Sequence, residues 1–481
     1  MSAPPTEPAK HPTEVLVVLL LAGTAFALSQ TLVIPALPQI SESVGASPAA
    51  ASWILTGFLL SASVATPIVG KLGDVYGKGR VLMAVLLLFS VGAVVNALAE
   101  SVSVLIVGRV IQGVAGGVFP LAFGIIRDTF PPTKVAGGLA IVSAIFGIGG
   151  GIGLPLSGII VDNLDISWLF WIGLVALPAA FAAHRLVPDS PPARRMRIDW
   201  VGAALLSLAL VALLLGVTEA NDWGWGSART IGLIVAGIVL VVAWVQVESR
   251  RAEPLIDLKV LRERAVATTN LTGGLVGFAM FASFLLIPQF AQTPPGSTGY
   301  GFGYSATESG LLLLPTALAQ LIAGPIAGRI GSRLGFRVTL AAGAGFSTLA
   351  FAGLAIQHTH PWEFVVGGML LGTGISFAFA SMANLIVGAV PQHEVGIATG
   401  INTVTRTIGG AFGAAVATAI LTADTVGNSH FATEDAYTLA FTMSAIGSVV
   451  AIVSALLVPT KAQAARDANA AEPEPAGAAS R

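Results

Sequence analysis

The chain has 481 residues, of which 54% are hydrophobic and only 10% charged, with a formal net charge of -1. Ordinary soluble domains carry roughly 25% charged residues, so the composition excludes a soluble globular protein and points to a membrane one. Cysteine is absent, which removes disulfides, thiolate metal sites and cysteine nucleophiles together.

After a polar segment over 1–14, fourteen apolar stretches follow, beginning near residues 15, 50, 81, 103, 136, 167, 201, 228, 265, 307, 337, 362, 397 and 437. At about 17–25 residues, each can cross a hydrocarbon core of ~30 Å as a helix. A helix is the natural solution because it satisfies its backbone hydrogen bonds within one segment. The first stretch is too long, and followed by too many others, for a cleaved signal peptide. The longest polar segments are the tails and the linkers near 188–200 and 248–264, and the Ala- and Pro-rich tail over 459–481 reads as disordered. No Gly-x-x-x-x-Gly-Lys-Ser/Thr loop and no His-Glu-x-x-His motif occurs, and no soluble stretch is large enough for a catalytic domain. The expectation is therefore no enzyme, no ATP, no metal, no cofactor and no nucleic acid.

Charge placement sets the orientation. Of 24 Lys and Arg residues, 21 fall on the tails and the even-numbered connections, Arg229 lies on the opposite side, and Arg109 and Arg406 fall inside apolar stretches. Positive residues stay cytoplasmic, so both termini are expected in the cytoplasm. Trp168, Trp171, Trp200 and Trp362 stand at predicted helix ends, where amphipathic rings favour the membrane interface.

The sequence also repeats. Gly70-Lys71-Leu72-Gly73-Asp74-Val75-Tyr76-Gly77-Lys78-Gly79-Arg80 is echoed by Gly328-Arg329-Ile330-Gly331-Ser332-Arg333-Leu334-Gly335-Phe336-Arg337, each reading as a basic, glycine-rich loop between apolar runs. Val107–Gly113 is echoed at Val366–Gly372, and Gly149–Gly153 at Gly409–Gly413. Three landmarks in one order at a near-constant offset imply two homologous six-helix bundles, with the helices over about 201–250 inserted between them. Membrane chains built this way usually carry solutes at a site between the halves.

Gly70-x-x-x-Asp74-x-x-Gly77-x-x-Arg80 resembles the signature loop of the major facilitator superfamily, and Arg109-Val110-Ile111-Gln112-Gly113 resembles its helix-4 arginine motif. Ala36-Leu37-Pro38, Asp199-Trp200-Val201-Gly202 and Pro254-Leu255-Ile256-Asp257 also fit the fourteen-helix drug:proton antiporters of that superfamily. Their helix-5 motif is matched only approximately by Gly153-Leu154-Pro155-Leu156-Ser157-Gly158. The resemblance spans about residues 15–458. It implies a multi-pass protein of the cytoplasmic membrane exporting drugs, antibiotics or secondary metabolites in exchange for protons.

The residues bear physical readings of their own. Gly70, Gly77 and Gly79 allow tight turns, and Asp74 can be held by Lys78, Arg80 or a helix N-terminus, with Asp128 as acidic companion. Such contacts either form a latch between two conformations or merely fix orientation. In the second copy Ser332 replaces the acid, which would leave the latch one-sided. Gly149, Gly153 and Gly158, with Pro155, suit close helix packing, either within a bundle or along a seam on which the bundles rock. Arg109 and Arg406 are too deep to snorkel easily, so each faces a cavity or bonds the carbonyls of a neighbouring helix.

No Asp or Glu falls in the middle third of any stretch. The antiporters' usual helix-1 acid is matched here by Ser29, followed by Gln30. Titratable candidates are peripheral: Asp74 and Asp128 inside, Glu308 and Glu219 outside. Two arginines without an acid favour neutral or anionic amphipaths. Gln30, Gln112, Asn270, Gln289, Gln320, Asn384 and Asn402 are polar candidates for cavity lining or helix stitching.

These readings converge on an all-α integral membrane protein of fourteen helices, both termini cytoplasmic. Its expected parts are a tail (1–14), an N-terminal six-helix bundle (15–188), a linker with two extra helices (189–264), a C-terminal six-helix bundle (265–458) and a second tail (459–481). Its expected partners are a small-molecule substrate, protons and the lipid bilayer. The alternative function is a symporter or facilitator for a nutrient or organic anion.

Overall fold

The computed structural model describes residues 12–46, 48–188, 199–251, 254–426 and 431–459. The tails beyond these bounds and the linker core over 189–198 lie outside the described residues. Among those described the fold is entirely helical apart from one isolated bridge between Thr425 and Ala432.

The long helices, in chain order, are α1 (Pro12–Thr31), α2 (Pro48–Tyr76), α3 (Lys78–Ala97), α4 (Val102–Thr129) and α5 (Pro132–Asn163). Next come α6 (Trp168–Leu186), α7 (Trp200–Thr218), α8 (Ala228–Glu248) and α9 (Arg264–Gln292). The last five are α10 (Thr307–Leu334), α11 (Phe336–Ile356), α12 (Pro361–Ala389), α13 (Val395–Ala423) and α14 (Glu434–Leu456). Thirteen of them are long and apolar enough to span a membrane along their described length, and α5 carries a shorter apolar run, Pro132–Ile145. Both α4 and α6 contain a 3₁₀ turn, over Val114–Gly117 and Ile172–Val175.

The helix boundaries follow from local chemistry. Asp199, Ser227 and Thr433 accept backbone N–H bonds at the starts of α7, α8 and α14, as N-cap residues do. Pro132 and Pro361 occupy first positions, where a missing N–H costs nothing. The repeat is visible in the backbone: Gly77 separates α2 from α3 at φ 97° and ψ 127°, and Gly335 separates α10 from α11 at φ 95° and ψ 139°. Only glycine takes that conformation without strain. The glycine-rich loops expected here are thus mostly helix. Gly70 and Gly73 continue α2, and the turn is one residue wide because only Gly77 needs positive φ.

Helices α1–α6 pack as one bundle and α9–α14 as the other, and the inserted α7 and α8 pair with each other. The bundles meet along two seams, α2 against α13 and α5 against α10 and α12. The insertion is not peripheral: α7 leans on both α2 and α13. There Leu206, Leu210, Trp244, Leu255 and Ile256 share one apolar core with Ile397 and Val404. Three of the four tryptophans singled out at helix ends, Trp168, Trp200 and Trp362, are more than half exposed, as interfacial rings are.

Candidate functional site

The cytoplasmic end of the α2–α13 seam is closed backbone to backbone. A Cβ added to Gly70 would stand 2.5 Å from the Gly396 carbonyl oxygen, and one on Gly396 would stand 2.7 Å from that of Gly70. One turn deeper into the membrane, Gly400 meets Pro67, with only 3.2 Å for a Cβ. At Gly70 and Gly396 no larger residue fits unless the helices move apart.

A buried charge cluster adjoins this closure. Lys78 Nζ lies 3.2 Å from Asp74 Oδ1 and donates to Asp128 Oδ2 at 2.8 Å. The three side chains are 5%, 1% and 3% exposed. Gly124 makes room for the lysine stem, since its Cβ would fall 2.5 Å from Lys78 Cε. Gln392, from the connection before α13, donates to Asp128 Oδ1 at 2.8 Å, and Arg127 donates to the Val390 carbonyl at 2.8 Å. Charges of one bundle are thereby tied to the backbone and amides of the other. Arg80 is exposed. In the second copy Ser332 is exposed and donates within its own helix, to the Arg329 carbonyl. Sequence reasoning missed Gln392, Gly396 and Gly124. Gly396 has an echo in Gly137, 259 positions earlier, which lies against Gly328 as Gly396 lies against Gly70, whereas only packing marks Gln392 and Gly124.

Midway along the seam a narrow cavity of about 40 Å³ opens between the bundles. It is lined by Phe26 and Gln30 of α1, Leu59, Ser63 and Thr66 of α2, Met280 and Phe281 of α9, and Thr403, Arg406 and Thr407 of α13. The guanidinium of Arg406 lies 4.2 Å from the Phe379 ring centroid, a cation–π contact that lowers the cost of holding a cation there.

Arg109 sits elsewhere. Wholly buried, it donates to the Ser29 carbonyl (2.9 Å), Ser29 Oγ (3.0 Å), Gln112 Oε1 (3.2 Å) and the Ile54 carbonyl (3.3 Å), with its guanidinium 4.0 Å from the Phe58 centroid. Asn96 also donates to Gln112 Oε1, at 2.8 Å. Arg109 and Gln112 thus stitch α1, α2, α3 and α4 together inside the first bundle, and neither lines the cavity. Asn402 bonds Asn270 at 3.0 Å, and Asn384 bonds its own helix at Ala380.

On α5, Gly149 and Gly153 approach Ala27 and Thr31 of α1, and their repeats Gly409 and Gly413 approach Gly274 and Phe278 of α9. The two glycines therefore pack inside the bundle. The seam on α5 runs along another face, where Ala140 and Ala144 meet Gly328 and Gly324 of α10. Spacing alone does not say which neighbour a glycine stripe meets. Gly158 does touch the other bundle, at Thr307, and Thr307 Oγ1 donates to Asp162 at 3.1 Å. Pro155 is buried within α5.

Of the outer acids, Glu308 is exposed and completes a capping box with Ser305. Glu219 is buried just beyond α7, and burial, reinforced by Asp222, holds its carboxyl above the usual range.

A family model described as Major Facilitator Superfamily matches residues 19–298 and 269–480. The chain is 30% identical over 403 residues to the tetracenomycin C resistance and export protein of Streptomyces glaucescens, covering 81% of this chain and 72% of that one. It is 29% identical over 391 residues to multidrug resistance protein 3 of Bacillus subtilis, covering 80% and 75%. An MFS-type transporter of Mycobacterium tuberculosis is 29% identical over 384 residues, 78% of this chain but 54% of the relative, so the chain spans about half that protein's length. Among solved structures, the human organic anion transporter MFSD10 superposes with a TM-score of 0.68 at 18% identity, covering 92% of this chain and 99% of that one.

Proposed function

The chain belongs to the major facilitator superfamily, and from that premise we propose that it exports amphipathic small molecules by alternating access, taking up protons in exchange. The observation that carries this reading is a cavity lined by both bundles and shut on its cytoplasmic side by the Gly70–Gly396 contact. Closure on that side is one of the two states that alternating access requires of a site between the bundles. The Asp74–Lys78–Asp128 cluster, tied to Gln392, supports a latch that must break when the seam opens. Relatives named for multidrug resistance and for export of an antibiotic support the substrate class.

The cavity narrows that class. Arg406 and the amide of Gln30 line it, together with hydroxyls, and no carboxylate does. A cationic drug would meet a like charge at Arg406, whereas a neutral or anionic amphipath would not. The same feature favours a second reading, a symporter or facilitator for an organic anion.

Everted membrane vesicles with an acidified lumen separate the two. Uptake of Nile red (uncharged), fluorescein (anionic) and ethidium (cationic) is followed with and without nigericin, which collapses the pH gradient. Export by proton exchange predicts nigericin-sensitive uptake of the first two in preference to ethidium. No uptake of any dye by folded protein would favour the importer.

A further inference from the structure

The inserted helices are the part of the molecule that the repeat leaves unexplained, and α7 stands against the seam between α2 and α13. Its cytoplasmic half is sealed at Gly70–Gly396 and Gly400–Pro67. Towards the outside, α2 and α13 flank a second cavity of about 180 Å³. Neither bundle supplies its third wall: Leu214 and Thr218 of α7, with Asn221 of the short helix Ala220–Trp223, close it. The wall is fastened to α13, because Asn221 Nδ2 donates to the Ala415 carbonyl at 3.3 Å and Trp225 meets Phe412 edge-on at 6.3 Å.

Leu59, Phe281 and Thr407 line both this chamber and the central cavity, so the two adjoin without an intervening element. The chamber's lining is mainly leucine, phenylalanine and alanine, with threonine hydroxyls and one amide as its polar groups. It contains neither an acid nor a cation. A charged group entering it would lose water without meeting a counter-charge, whereas an apolar body gains roughly 25 cal/mol for each Å² it removes from water.

We infer that the insertion forms part of the substrate path: α7 and Ala220–Trp223 complete an outer chamber that takes the uncharged, apolar body of an amphipathic substrate leaving the central cavity. This rests on the export reading above. It gives the two extra helices a role in choosing substrates, separate from the charge filter at Arg406.

The natural absence of cysteine makes the test direct. Leu214→Cys places a single thiol in the chamber, and Leu208→Cys places one on the membrane face of the same helix, where Leu208 is 56% exposed. Each full-length protein, in proteoliposomes, is treated with benzyl methanethiosulfonate, which adds an uncharged aromatic group, and Nile red transport is compared before and after. Modification at Leu214→Cys should cut transport about tenfold, equivalent to one step of the affinity scale, and Nile red added first should slow the modification. Leu208→Cys should show neither effect. Thr218→Cys serves as the second chamber site if Leu214→Cys does not fold.

Unchanged transport by modified Leu214→Cys, or effects equal to those at Leu208→Cys, would overturn the inference. Protection from labelling reads binding without transport. A protein that moves no dye yet is protected at Leu214→Cys would contradict the export reading and support the chamber.

Discussion

At the scale of residues, the two intramembrane arginines separate into different chemistry. Arg109 is held by neutral acceptors on α1, α2 and α4 inside one bundle, whereas Arg406 lines the cavity between bundles. Arg109→Ala leaves the Ser29 carbonyl and Gln112 short of a donor and opens a void, so it should lower the thermal unfolding temperature in detergent with little change in substrate preference. Arg406→Ala should shift preference from fluorescein towards ethidium, whatever its effect on that temperature. The converse pattern would exchange their roles. Both positions were legible as buried cations, but which of them meets substrate was not, because depth along a helix does not fix the face a side chain presents. Lys78 balances two buried carboxylates. Lys78→Met, which leaves them without it, should cost on the order of 3 kcal/mol of stability, read from the same unfolding transition. Asp74→Asn, which keeps shape and removes charge, should slow transport far more than it weakens Nile red binding, and an equal loss of both would count against a latch.

Among elements, α2 and α13 matter most because glycine contacts bring their backbones together. Gly396→Leu cannot coexist with the closed seam, since even a Cβ there would stand 2.7 Å from the Gly70 carbonyl oxygen. It should abolish Nile red transport. Gly388→Leu, at a site on α12 where a Cβ would meet nothing within 4 Å, should transport normally, and loss in both variants would assign the effect to helix stability instead. The elements were largely readable from hydropathy and charge, and the turn glycines from the repeat. The partners of the glycine stripes were not. Gly149 and Gly153 follow the small-x-x-x-small spacing expected of a seam, yet they meet α1, because a helix as long as α5 carries several packable faces at once.

For the whole molecule, two-fold repetition carries most of the argument, and its departures carry the rest. Gly77 and Gly335 adopt nearly the same backbone conformation, so the halves share their turns as well as their motifs. The buried Asp74–Lys78–Asp128 cluster belongs to the first half, since Ser332 stands at the second half's acid position. The insertion breaks the symmetry again by leaning on one seam only. Repetition was legible as a constant offset between motifs. Where the halves touch was not, because contacts between them join residues hundreds of positions apart with no shared pattern, as Gln392 and Asp128 do.

In the proposed cycle the α2–α13 seam is an inner gate that opens during transport. Tyr76 and Leu334, exposed at the cytoplasmic ends of α2 and α10, can be changed to cysteine and spin-labelled as the only two thiols. Their separation is then measured by pulsed electron resonance at neutral and acid pH, with and without Nile red, and in the Asp74→Asn background. A gate of this kind gives one distance when the seam is shut and a second, longer one that grows in population when the Asp74 charge is removed. One distance, unmoved by pH, by dye and by Asp74→Asn, would contradict it.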